Sequence, residues 1–253
     1  MSGRPDVRRL DERLRLPPAD GAFDVAELDG VPEAVRRYFR AAIAPGAPLA
    51  RAAHLTMRGH IKLGTRWVPF RAEETLAPHQ GFVWWGRAAG VISGSDHLVD
   101  GHGVLDWRIL GLVPVARGSG PDVTRSAAAR GAAEAVWVPT ALLPRFGVAW
   151  TASDDDRVTA RLRVGDVDVE QHLTLDASGR VRSTSLQRWG DPDESGSFDW
   201  HPFGMEATEH ASFAGMTIPS AGRVGWHHGT DRWAEGEFFR FEITDLRPIA
   251  PSE

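Results

Sequence analysis

Cysteine and asparagine are absent from the 253 residues, lysine occurs once (Lys62) and tyrosine once (Tyr38). Without cysteine the chain has no disulfide, no thiolate nucleophile and no sulfur ligand for a metal. No run of about 18 apolar residues occurs, so no integral membrane segment is expected. The N-terminal stretch MSGRPDVRRLDERLRLPPADG is charged where a signal peptide needs an apolar core, and this points to a cytoplasmic protein. A clustered basic surface is missing too. The formal net charge is -5 and the pI about 6.1, which argues against a nucleic-acid partner. The preference for arginine over lysine matches a GC-rich coding sequence and says nothing about anionic ligands.

The short motifs of common enzymes are also lacking. GxSxG and HExxH do not occur, and VISGSDH offers Ser93 and Ser95 in a turn with no strand-to-helix elbow behind them. GRAAGVISGSDH and ARGSGPD bear glycines but fit no phosphate-binding turn. ARGSGPD does precede a helix N-terminus, which suits an anion or simple capping by Ser119 or Asp122. His227, His228 and Asp231 in GWHHGTDRW, with His201 and His210 before them, are the densest set of potential metal ligands. Adjacent histidines on a strand face opposite ways, so no metal is expected, and no other cofactor is called for.

Forty-two per cent of the residues are hydrophobic and 25% charged, enough for one large core in a chain of this length. Residues 1–30 are charged and broken by Pro17, Pro18 and glycines, which predicts a loosely held arm with at most a short helix at 6–15; residues 31–253 form a single β-rich domain. VPEAVRRYFRAAI spaces Val31, Val35, Tyr38, Phe39 and Ala42 as one helix face, with Pro32 in the first turn. From residue 51 the period becomes two: Leu55, Met57, Gly59, Ile61 and Leu63 alternate with Thr56, Arg58, His60 and Lys62. About eleven short strand patterns follow in hairpin succession, among them the Asp176–Gly179 turn, with an irregular stretch around WHPFGMEATEHASF. A meander that long curls as its twist accumulates.

One helix interrupts it. RSAAARGAAEAVWV, residues 125–138 of the stretch that continues PTALLP, lies in a helix expected over 121–138 and ended by Pro139, with small or apolar residues around most of its circumference. Such a helix belongs inside a curved sheet. Its Arg130 and Glu134 are costly there unless paired, and their i, i+4 spacing lets them pair. The fold class expected is therefore mostly β: a curved antiparallel sheet, half-barrel or open barrel, with an N-terminal helix and one central helix packed on the concave face.

The same segment, GPDVTRSAAARGAAEAVWVPTALLP followed by FGVAW, resembles a bacterial family of unknown function with an Ala-Glu-x-x-Trp-x-Pro helix. The matching positions are Glu134, Trp137, Pro139, Leu142 and Trp150, with Arg130 near the family's basic position. The likeness runs over roughly residues 35–247. In layout the chain is similar to the half-barrel of lipoprotein carriers (LolA-like), which implies a concave face able to hold acyl chains.

Two readings of Arg130 and Glu134 stand side by side: a structural ion pair tied to strand residues such as Arg71 or Glu73, and a buried acid with a tuned ionisation. The ten tryptophans supply apolar area for a core or for a ligand cavity. The expected site comprises Glu134 as acid or base and Arg130, Trp137, Trp84, Trp107 and Arg71 as ligand-binding residues. The function expected is binding of a hydrophobic or amphipathic small molecule between sheet and helix. The alternatives are a cyclase, isomerase or hydrolase on the same scaffold using Glu134, and a protein-interaction module.

Overall fold

The structure, a computed structural model, describes residues 4–249, with side chains from Arg9 onward. Positions 1–3 of the expected arm and 250–253 of the expected domain lie outside the described residues. The chain opens with helix α1 (Arg4–Arg13), strand β1 (Ala19–Ala22), helix α2 (Glu33–Ala42) and strand β2 (Pro48–Leu49). Six strands follow: β3 (Ala53–Leu63), β4 (Arg66–Ala77), β5 (Gly81–Ala88), β6 (Ile92–Val99), β7 (His102–Ile109) and β8 (Val113–Ser119). Helix α3 (Pro121–Glu134) and short 3-10 turns through Phe146 lead to β9 (Ala149–Ala152) and β10 (Arg157–Val164). The chain closes with β11 (Val167–Leu175), β12 (Val181–Gly190), β13 (Asp199–Phe213), β14 (Met216–Trp226), helix α4 (Trp233–Gly236) and β15 (Glu237–Pro248).

Thirteen of these strands form one antiparallel sheet in the order β8-β7-β6-β5-β4-β3-β15-β14-β13-β12-β11-β10-β9, while β1 and β2 pair separately. The chain starts in the middle at β3, walks outward to one edge, crosses to the opposite edge through α3, and walks back to place β15 beside β3. This topology dictates the curl. Twelve strand spacings laid flat would separate the edges by about 57 Å, whereas a helix of 14 residues covers only about 21 Å. The sheet therefore folds round the connection, and α3 packs against β5–β8 on one side and β10–β12 on the other. The two edges do not pair with each other, so the sheet is an open half-barrel with α3 in its concavity.

Polar ties fix the helix to both walls. The Gly103 N–H of β7 donates to Thr124 Oγ1 (2.9 Å), and Gln171 Nε2 of β11 donates to the Ala133 carbonyl (3.1 Å). Ala128, Ala132 and Ala135 are fully buried, because only small side chains let a helix lie this close to strands on two sides. The α-helix ends at Glu134, and residues 135–137 continue as a 3-10 turn before Val138 breaks it ahead of Pro139. Helix α2 packs Tyr38 and Phe39 against Trp150.

Several local expectations are revised. The segment predicted as a loose arm buries Leu14, Phe23 and Leu28. Leu14 packs on the convex side with Ala52, Val83, Val99 and Ile249. Ser93 and Ser95 lie in strand β6 and not in a turn. The stretch read as irregular is the 15-residue strand β13, whose register shifts between Ala207 and His210 erase the two-residue period there.

Candidate functional site

Alternation and register bring the site together. Within β4 the inward positions are Phe70, Ala72, Glu74 and Leu76, while Arg71 and Glu73 are exposed. Glu74 pairs with Trp84 of β5, and Trp84 pairs with Asp96 of β6, so the three form one row across the inner face. The next row places Gly86 and Gly94 beside Trp107 of β7. A β-carbon on Gly86 would fall 2.8 Å from the Trp84 ring and 3.3 Å from that of Trp107. Glycine thus makes room for the two indoles, whose centroids lie 5.4 Å apart.

Arg130 of α3 reaches into these rows. Its Nε donates to Glu134 Oε1 and its Nη1 to Asp96 Oδ2, both at 2.8 Å. The guanidinium also lies 4.5 Å from the Phe82 ring centre. Asp96 is held in turn by the Trp107 indole N–H, which donates to Oδ1 at 2.7 Å. Arg130 and Glu134 side chains are each only 15% exposed, so the pair is largely desolvated. Burial works against the charge of Arg130, yet the carboxylates of Glu134 and then Asp96 outweigh it and raise the guanidinium further.

Glu74 is the buried acid of the cluster, at 1% exposure. Burial first, and the neighbouring Glu134 carboxylate second, push its carboxyl well above the usual glutamate range. Neither Glu74 oxygen, nor Glu134 Oε2, meets a donor among the described residues. Where Glu74 is protonated, its O–H is the donor that faces Glu134.

Beside this cluster lies a cavity of about 160 Å³. Trp84, Asp96, Trp107, Arg130, Glu134 and Trp137 line it from the helix and the first half of the sheet. Arg188, Phe203, Met205, Val224, Phe238 and Phe239 line it from the second half, and Ile61 and Ala133 complete the wall. Ile61, Trp107, Phe238 and Phe239 are half-buried, and exposed apolar side chains, Leu63, Leu110 and Leu112, stand at the tips of nearby hairpins.

Five of the six residues singled out from the sequence, Glu134, Arg130, Trp137, Trp84 and Trp107, line this one cavity. Arg71 does not. It sits on the convex face of β4 opposite Arg58 and Arg87, one residue out of phase with the inner row, so neither it nor Glu73 is the strand partner of the helix pair. The partners are Asp96 and Glu74. Arg188 was equally unmarked in the sequence, although Leu186, Arg188 and Gly190 share a phase in β12. Trp85 points away from Trp84 and lies under Arg87, with its ring 5.4 Å from the guanidinium.

The histidine-rich segment is placed elsewhere. His227 adopts a positive φ of 59° just after β14, so the two histidines occupy a turn rather than consecutive strand positions. His227 Nε2 lies 3.7 Å from Asp193, and His228 Nε2 lies 3.9 Å from Glu206. Asp231 is exposed. Among the described residues no three metal-ligand side chains converge, and no helix is long and apolar enough to cross a membrane.

Comparison with solved structures finds similar layouts at low identity. A domain from Vibrio parahaemolyticus named for outer membrane lipoprotein sorting is 10% identical, with 92% of this chain and 94% of that one covered and a TM-score of 0.44. A LolA superfamily protein from Nitrosomonas europaea is 10% identical over 93% and 96% of the two chains, at a TM-score of 0.44. A DUF1329 family protein from Desulfovibrio piger is 10% identical over 81% and 88%, at 0.43. No curated protein matches the chain. A family of unknown function, DUF6544, matches residues 21–238, and the chain belongs to that family.

Proposed function

We propose that this protein binds a hydrophobic or amphipathic small molecule in the cavity between the curved sheet and α3. The observation that carries this reading is the wall itself. Most of it is aromatic or aliphatic, and the charged groups, Asp96, Arg130, Glu134 and Arg188, are gathered from three separate elements. Ligand sites combine apolar walls and a few convergent polar groups in this way. A protein-interaction module would need no such cavity.

Trp84, Trp107 and Trp137 report on the cavity directly, because a ligand that displaces water beside them changes their emission. Titration with fatty acids, alkanols and polycyclic compounds should shift tryptophan fluorescence saturably for some member of the panel. A flat response across all of them contradicts the proposal.

A second reading, acid–base catalysis on the bound molecule, draws on the carboxyl of Glu74, which burial and the neighbouring Glu134 push well above the usual glutamate range. It requires that a bound compound be turned over by the wild type and left unchanged by Glu134→Gln.

A further inference from the structure

Two arginines line the cavity, and they are in opposite conditions. Arg130 has two carboxylate partners, Glu134 on Nε and Asp96 on Nη1, at 2.8 Å each. Arg188 has no carboxylate partner among the described residues. Its Nε donates to the carbonyl and the hydroxyl of Ser126, at 3.2 and 3.1 Å. Its plane rests on two rings, with the guanidinium carbon 4.6 Å from the centre of Phe203 and 4.9 Å from that of Trp226. These contacts hold the guanidinium in one orientation and leave Nη1 and Nη2 with no acceptor among the described residues. Burial, and then the nearby charge of Arg130, outweigh the opposing Glu134 and Asp96 carboxylates and lower Arg188 to about 10, so it stays cationic at neutral pH.

A desolvated guanidinium edge without an acceptor is costly, and a ligand that supplies a charged acceptor there offsets that cost. We propose that the cavity's ligand is a monocarboxylate, its head taken by the free edge of Arg188 and its apolar body by the aromatic wall. This rests on the small-molecule reading above. The planar two-donor edge of a guanidinium matches a carboxylate better than it matches a hydroxyl or an ammonium. Asp96 and Glu134 stand in the same cavity, so a dianion meets two like charges where a monoanion gains most from one cation. Size narrows the class further. A volume of about 160 Å³ is close to the roughly 150 Å³ of an engineered apolar cavity that takes up benzene. One aromatic ring or a short alkyl chain fits inside, and a longer chain must extend out of the cavity.

The test uses pairs of ligands that differ only in the head: 4-phenylbutyrate against 4-phenylbutanol, and octanoate against octanol. Affinities are measured by calorimetry at neutral pH on the full chain, with displacement of each alcohol by its acid as the check on a shared site. The acids are expected to bind wild type at least about tenfold more tightly than the alcohols. Arg188→Gln should remove that gap, bringing each acid and its alcohol to equal affinity, and Arg188→Lys, which keeps charge without the fork, should retain part of it. Equal affinity of acid and alcohol for wild type overturns the inference and leaves the small-molecule reading standing. An acid preference that survives in folded Arg188→Gln overturns it too. Failure of all four compounds to bind folded wild type removes both. The wild-type comparison needs no variant, so the inference stays testable even if the substitutions impair folding.

Discussion

Arg130 joins α3 to the sheet through Asp96, whose Oδ2 accepts from Nη1 at 2.8 Å across 34 positions of sequence. The intrahelical pair with Glu134 is thus one arm of a bridge whose other arm is tertiary. Removing either carboxylate leaves the arginine half-partnered in a desolvated place.

Glu134→Ala is accordingly expected to destabilise the fold by about 2–4 kcal/mol. Because each single variant leaves Arg130 one carboxylate and the double variant Asp96→Ala/Glu134→Ala leaves it none, the double variant should lose more than the sum of the two single losses. Urea unfolding of the three variants measures this. A loss near zero for Glu134→Ala would show that the pair contributes nothing net.

Glu74 makes stability depend on pH in a direction opposite to that of a salt-bridged carboxylate. Its folded-state affinity for the proton is raised, while in the unfolded chain it titrates near the ordinary glutamate value of about 4.3. The native state therefore holds a proton that the unfolded state releases. Its contribution is fully present below the unfolded value and is lost as pH rises toward the folded one. Glu74→Gln cannot ionise, so the stability of wild type minus that of the variant should fall as pH increases from about 4. A difference that is flat, or that rises, means Glu74 is ionised in the native protein.

Gly86→Ala should disturb the indoles, since the added carbon meets the Trp84 ring at 2.8 Å. Overpacking of this kind costs about 1–3 kcal/mol, and the tryptophan emission of the folded variant should shift with it. Unchanged stability and emission would mean that the ring has room to retreat.

Arg71 serves as the control drawn from the same strand. It is exposed on the convex face, so Arg71→Ala should change stability by no more than about 0.5 kcal/mol and leave ligand binding as in wild type. Chemical denaturation with a parallel titration checks both, and a binding defect would place the ligand outside the cavity.

What could be seen in the sequence divides along physical lines. The strand alternation from Leu55 to Ile61 and the helical face of Val35, Tyr38 and Phe39 are local periodicities, and they survive folding intact. The position of α3 was legible because alanines around its circumference have no other use than close packing. Glu74 was legible in principle: counting by two from Phe70 selects it and rejects Arg71 and Glu73, but the acidic run makes the phase easy to misplace. Asp96 and Arg188 were not legible, since their roles follow from cross-strand register and from the curl that carries β6 and β12 to the same helix. Nor was β13, where bulges at Ala207 to His210 remove the period that identifies a strand.

Native mass spectrometry of the protein purified from its own host, followed by extraction and identification of any bound compound, tests the central claim most directly. The account predicts a species heavier than the bare chain by the mass of one small apolar or amphipathic molecule, released on denaturation and lost when Trp107→Ala and Phe239→Ala open the wall. A single species at the mass of the bare chain, from preparations that also show no fluorescence response to the ligand panel, would contradict it.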